Sequence, residues 1–286
     1  MKAFLFLLSL LVLSCGSHSK GGKDESGFKK SFMPENNLHL YDDNSAANMS
    51  EETFNRIIDH AYQIYAPIVQ NLGGNLVFER NYNDPIVNAY ASRSGNDWKV
   101  SLFGGLAKRK EVTEDGFALV ICHELGHHLN GWVFYPNSWA ASEGSSDYYS
   151  TASCSKKLFA AIETDTTKVP KCPFAPDASD YDYTPCKGFA FAADKESCQR
   201  SLDAALSLSK LLSALGRQPT PSLSTPDKTI VRTTQTTHPN AQCRLDTMAA
   251  GVMCEKQWND TIIPQDKPTM QEVACEKTFP KCWYAG

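Results

Sequence analysis

The sequence predicts an α+β chain, mainly helical with one small sheet, and three observations carry that prediction. Apolar residues recur at threes and fours in long runs near Phe54 and again near Leu202, the spacing of helices with one buried face. Between Asn75 and Phe103 the period shortens to that of strands. The stretch Val120 to Asn130 then returns to helical spacing and contains His123-Glu124-Leu-Gly-His127. A chain of 286 residues with 42% hydrophobic content can bury one sizeable core with an appended subdomain.

Taken in order, Lys2 and the apolar run Ala3 to Leu13 have the form of a secretory signal over residues 1–14, too short to span a bilayer as a mature helix. Val12-Leu13-Ser14-Cys15 resembles the bacterial lipobox, which implies cleavage before Cys15 and its acylation, with several acyl chains holding the protein to a bilayer. Residues 15–34, rich in Gly, Ser and Lys, read as a flexible tether, and 35–286 as the folded domain. Asn48 is expected to cap a helix in which Phe54, Ile57, Ile58, Ala61, Tyr65 and Val69 share a face, with a kink at Pro67 and an end at Gly73-Gly74. Leu76-Val77-Phe78, Ile86 to Ala91 and Trp98 to Phe103 read as short strands, separated by Asn83-Asp84-Pro85 and Ser94-Gly95-Asn96. Thr113 or Asp115 caps the helix that follows, and Gly131 stops it. A cysteine-rich insertion at about 164–236 contains one helical stretch, Glu196 to Leu215, and another helix follows Pro239.

The chemistry sits on the Val120–Asn130 helix. Side chains at i and i+4 stack on one face, so His123 and His127 can both place a ring nitrogen on one zinc ion. Glu124 is turned about a hundred degrees away, off the ligand stripe but within reach of a water on the open side of the metal. A catalytic zinc needs a third protein ligand. Sixteen residues beyond His127 lies Glu143, with Asp147 one helical turn further. Glu143 can complete a His2Glu site, and Asp147 can hydrogen-bond the far nitrogen of a ligand histidine and fix its orientation. His128 is rotated off this face and reads as a surface histidine, while Tyr148, Tyr149 and Trp139 read as core aromatics. His238 precedes a proline, which holds it extended and suits projection into a cleft.

A net charge of -4, without a basic stripe, gives no reason to expect nucleic-acid binding. Ten cysteines, nine of them after Cys15, fit an oxidising compartment. The odd count leaves one over, and Cys122, on the apolar face of the zinc helix, is expected as a buried free thiol. The remaining pairings cannot be read from spacing.

Several motifs together resemble the zinc metallopeptidase family typified by the CAAX prenyl protease and the heat-shock protease HtpX, with its periplasmic relatives. These are Asn88-Ala89-Tyr90-Ala91, the acidic pair Glu114-Asp115, His123-Glu124-x-x-His127, Glu143-x-x-x-Asp147, and His238-Pro239 followed by Arg244. The resemblance implies a zincin-like fold of the gluzincin type, in which the edge strand of a small sheet receives an extended peptide. It makes His123, His127 and Glu143 ligands of one zinc ion, Glu124 the base, Asp147 a support to the ligands, and His238 and Arg244 auxiliary groups near the scissile bond. The expected protein is thus a zinc endopeptidase of the bacterial envelope, lipid-anchored at the outer membrane and facing the periplasm, with polypeptide substrates. A chaperone-like lipoprotein that keeps the fold but rarely cuts, and a disulfide-rich structural lipoprotein, are the rival readings. Substrate identity and oligomeric state are not legible in the sequence.

Overall fold

The computed structural model describes residues 29–34, 36, 38–40, 49–164, 192–254 and 279–286. The expected signal segment, Cys15, Asn48, Cys172, Cys186 and Cys275 lie outside the described residues. The elements run β1 (Lys29–Ser31), α1 (Glu51–Asn71), β2 (Asn75–Asn81), β3 (Ala89–Ser94), β4 (Asp97–Phe103), α2 (Gly104–Ala107), α3 (Glu114–Leu129), α4 (Glu143–Tyr149), a π-helical turn (Ser150–Cys154), α5 (Ser155–Thr164), α6 (Ala192–Gly216) and α7 (Ala241–Val252). The architecture is α+β and mainly helical, as the periodicity predicts.

Ser50, rather than the expected Asn48, caps α1 by accepting from the Thr53 N–H, and the anticipated apolar face, Phe54 through Val69, is buried. Pro67 lies inside this helix, which continues to Asn71. The four-stranded sheet has the order β1-β3-β4-β2, with β3 and β4 antiparallel and β2 and β4 parallel. Its inward side chains, among them Leu76, Ala89, Val100 and Leu102, join Phe54, Ile58, Phe117 and Ile121 in one core that α5 and α6 close with Leu158 and Leu208.

Three further expectations need correction. The end of the tether is structured: Lys29–Ser31 pairs antiparallel with β3, because the free edge of β3 offers backbone groups that an extended segment of any composition can satisfy. Cys122 is buried on the apolar face, but it is bonded to Cys154, with a Cα–Cα separation of 5.4 Å. The π-helical turn packs on that face of α3 and brings in a partner 32 residues away, a contact that spacing cannot reveal. His128 is also buried rather than on the surface. Its ring stacks between Trp98 and Trp139, with centroids 5.6 and 4.7 Å away, and its Nε2 donates to the Lys99 carbonyl at 3.1 Å. Two bulky indoles beside it turn an otherwise exposed position into a joint between α3 and the sheet.

The acidic pair at the start of α3 has a structural use. Glu114 meets Arg56 of α1 at 3.1 Å, and Asp115 takes both Nε and Nη2 of Arg200 on α6 at 2.7 Å. A second aromatic cluster, Trp132, Tyr148, Phe279, Trp283 and Tyr284, holds the C-terminal tail, and a Cys243–Cys282 bridge pins it to α7. Cys198 and Cys254 are disulfide-bonded as well.

Candidate metal centre

Both histidines of α3 point into one buried space because their outer nitrogens are already committed. His123 Nδ1 donates to Asp147 Oδ1 at 2.8 Å, and His127 Nδ1 donates to the Ala141 carbonyl at 2.8 Å, with Ser146 Oγ 3.0 Å away. Anchored at Nδ1, each ring presents Nε2 inward. The rings stand nearly perpendicular, 88° apart, with centroids at 4.8 Å.

Helix α4 supplies the third group. Ser142 caps it and accepts from the Ser145 N–H, so Glu143 falls in its first turn and Asp147 one turn on. Glu143 Oε2 sits 3.2 Å from His123 Nε2, and Oε1 sits 3.8 Å from His127 Nε2. The approach of α4 to α3 depends on Gly126, where a Cβ would meet Ser146 Cα at 3.0 Å. A larger residue would wedge the two helices apart at the level of the ligands.

Around this trio the sequence-predicted residues assemble in two layers. Arg244 of α7, almost wholly buried, closes a two-bond clamp on Asp147, Nε to Oδ2 at 2.7 Å and Nη2 to Oδ1 at 2.8 Å. Its Nη1 donates to the Phe32 carbonyl at 2.6 Å. His238 stands at the rim with its Nε2 3.4 Å from Glu143 Oε2 and donates to the Ser31 carbonyl at 2.8 Å. The loop before it is fixed where Glu143 N–H donates to the Thr236 carbonyl and Gln235 N–H to the Trp283 carbonyl. Glu124 is fully buried and neither carboxylate oxygen has a hydrogen-bond partner.

Tyr135 is a site residue that sequence reasoning missed. Its hydroxyl donates to Glu143 Oε1 at 2.7 Å and fixes which oxygen is left free. It lies in an irregular loop eight residues before Glu143, where no periodicity or motif marks it. Asn88 does stand in a quoted motif. Its role as acceptor for the Met33 N–H, at 3.1 Å, depends on a partner 55 residues distant.

The electrostatics of the site follow from deep burial set against the charges packed together there. Burial lowers His123, but the Asp147 carboxylate and its hydrogen bond, with Glu143 adding, carry it up to about 9. Burial drives His127 down to about 3 against the pull of Glu143. Burial raises Glu143, yet His127, His123 and His238 together hold it well below the usual carboxylate range. Burial pushes Glu124 up to about 8 despite the opposing charges of His123 and Arg244, with the Glu143 carboxylate adding to the rise.

Three atoms decide what this space can hold. His123 Nε2, His127 Nε2 and Glu143 Oε2 are all buried without a hydrogen-bond partner, and the three residues offer ligand atoms within 4.8 Å of one another. Orphaned buried polar atoms are costly. Two imidazole nitrogens and one carboxylate oxygen form a donor set suited to zinc. Residues 69–139 match Peptidase family M48. No curated protein and no solved structure matches the chain. The M48-like stretch covers β2, β3, β4 and all of α3, including His123, Glu124 and His127, and ends before Glu143. It supports a metallopeptidase, and the two α3 histidines with Glu143 are the group that could bind the metal.

Proposed function

We propose that the protein is a zinc endopeptidase of gluzincin type in the bacterial envelope, anchored through acylated Cys15 and acting on unfolded or unassembled envelope polypeptides. The observation that carries the peptidase reading is the convergence of three unpartnered buried donors beside an unbonded buried carboxylate, Glu124. Zinc held by His123, His127 and Glu143 would supply a Lewis acid for the scissile carbonyl and would acidify a water molecule. Glu124, buried beside the proposed ligands with both carboxylate oxygens unbonded, takes the proton of the attacking water and passes it to the leaving amine. His238, at the cleft rim, donates to the carbonyl oxygen as it gains negative charge. Tyr135 stays a neutral donor, because burial and the Glu143 charge push its hydroxyl above the ordinary range, and so holds Glu143 in place. The envelope location and lipid anchor rest on the signal-like run and Val12-Leu13-Ser14-Cys15.

The test is cleavage of unfolded envelope proteins by purified protein, before and after removal of metal by a chelator and after return of zinc. The expected result is cleavage that disappears with the metal and returns with one equivalent of zinc. Zinc binding without cleavage under any of these conditions would move the reading to a chaperone-like lipoprotein on a peptidase scaffold.

A further inference from the structure

Strand β1 and the two residues after it lie in the cleft that the peptidase reading assigns to substrate. Lys30 pairs with Ala91 and Ser31 with Tyr90 on the edge of β3. Phe32 N–H donates to the Ala89 carbonyl at 3.1 Å and Met33 N–H to Asn88 Oδ1 at 3.1 Å, so the segment lies as an added strand. The Ser31 carbonyl accepts from His238 and the Phe32 carbonyl from Arg244. The Phe32 ring is fully buried, edge-on to His123 with centroids 5.3 Å apart and under the Arg244 guanidinium at 4.7 Å. Beyond it the chain follows the wall of a cavity of about 240 Å³ that Met33, Pro34, Leu212, Leu215, His238 and Arg244 help to line.

A strand that served only to cover the β3 edge would need the backbone pairing alone. Here the segment also presents the Ser31 carbonyl to His238 and the Phe32 carbonyl to Arg244, with the Phe32 ring against His123, so the Ser31–Phe32 peptide unit is held beside the candidate metal centre. We propose that Lys29–Met33 occupies the substrate cleft in cis and that the zinc-loaded protein cuts its own chain at the Ser31–Phe32 bond. The proposal rests on the peptidase reading. The oxygen of one water molecule bonds to the Ser31 carbonyl carbon while the bond from that carbon to the Phe32 nitrogen breaks. One water proton passes through Glu124 to that nitrogen and the other leaves the new Ser31 carboxyl group for solvent, giving a Ser31 carboxylate and a Phe32 amine. The cut separates residues 15–31, with the acylated Cys15, from the folded body, so an anchored form becomes a released one.

The experiment uses full-length wild type and Glu124→Gln, both purified free of metal. Hydrogen exchange comes first: the Phe32 and Met33 amides are expected to be protected by at least about 100-fold in both proteins. One equivalent of zinc is then added, and intact mass and N-terminal sequence are followed, with unfolded casein as a separate substrate. Wild type is expected to acquire Phe32 as its N-terminus in a first-order process whose half-time does not change with protein concentration, while Glu124→Gln stays whole. Unprotected amides, a rate that scales with protein concentration, or intact wild type that nevertheless cuts casein each overturn the proposal. Wild type that binds zinc and cuts neither itself nor casein removes the peptidase reading along with it.

Discussion

His123 sits between two carboxylates, and that placement has a measurable consequence. In the metal-free protein its pKa is raised from 6.5 to about 9, so it is protonated at pH 7 and a metal ion must displace that proton. Below pH 9 metal affinity should therefore fall by up to about tenfold per unit, and above it the dependence should flatten. Titration calorimetry at pH 7 in buffers of different protonation heat should show proton release on zinc binding; no release would contradict the assignment. Asp147 carries two duties, as acceptor for His123 and as counter-charge for the buried Arg244. Asp147→Asn should weaken zinc binding by about 10 to 100-fold and also lower stability by about 3 kcal/mol, since the Arg244 charge loses its partner. Metal competition and urea unfolding check the two halves separately. An affinity loss with unchanged stability would mean that Arg244 finds another partner.

At the scale of elements, much of the site was legible because it is local. The His123, Glu124 and His127 spacing needs only a helix, and Glu143 and Asp147 needed only a second one; both helices are present. What could not be read was contact between elements. The Cys122–Cys154 bridge, the Trp98–His128–Trp139 stack and the Tyr135–Glu143 hydrogen bond each join segments whose meeting depends on the packed fold. Gly126 belongs to this class, since its role is to let α4 approach α3. Gly126→Ala should cost about 1 to 3 kcal/mol of stability. Because the displaced element carries Glu143, zinc affinity should fall with it. A chromophoric chelator competition that finds wild-type affinity would place the tolerance in Ser146. Removing the α3 bridge with Cys122→Ala and Cys154→Ala should lower unfolding free energy by about 2 to 5 kcal/mol, read from the urea midpoint. An unchanged midpoint would mean that the π-helical turn is held to α3 by packing alone.

Across the whole molecule, the fold brings His238 and Arg244, about a hundred residues beyond α4, to the site that α3 and α4 begin. They arrive because the loop before His238 is pinned to Glu143 and to the tail, and because α7 is bridged to Cys282. No sequence period could have announced that convergence; the resemblance to a peptidase family supplied the expectation, and the geometry supplies a physical reason for each contact. The same convergence explains why an N-terminal stretch read as tether lies ordered at the cleft. Its backbone finds the open β3 edge, and its Phe32 finds an apolar seat beside His123. In the proposed mechanism Glu124 does the proton work beside a metal held by His123, His127 and Glu143. The most direct measurement compares Glu124→Gln with wild type on one peptide substrate at matched, directly measured zinc content. The substitution keeps size and all three proposed ligands, so zinc should stay bound while turnover falls by at least about 100-fold. Equal cleavage rates at equal zinc content would contradict the account.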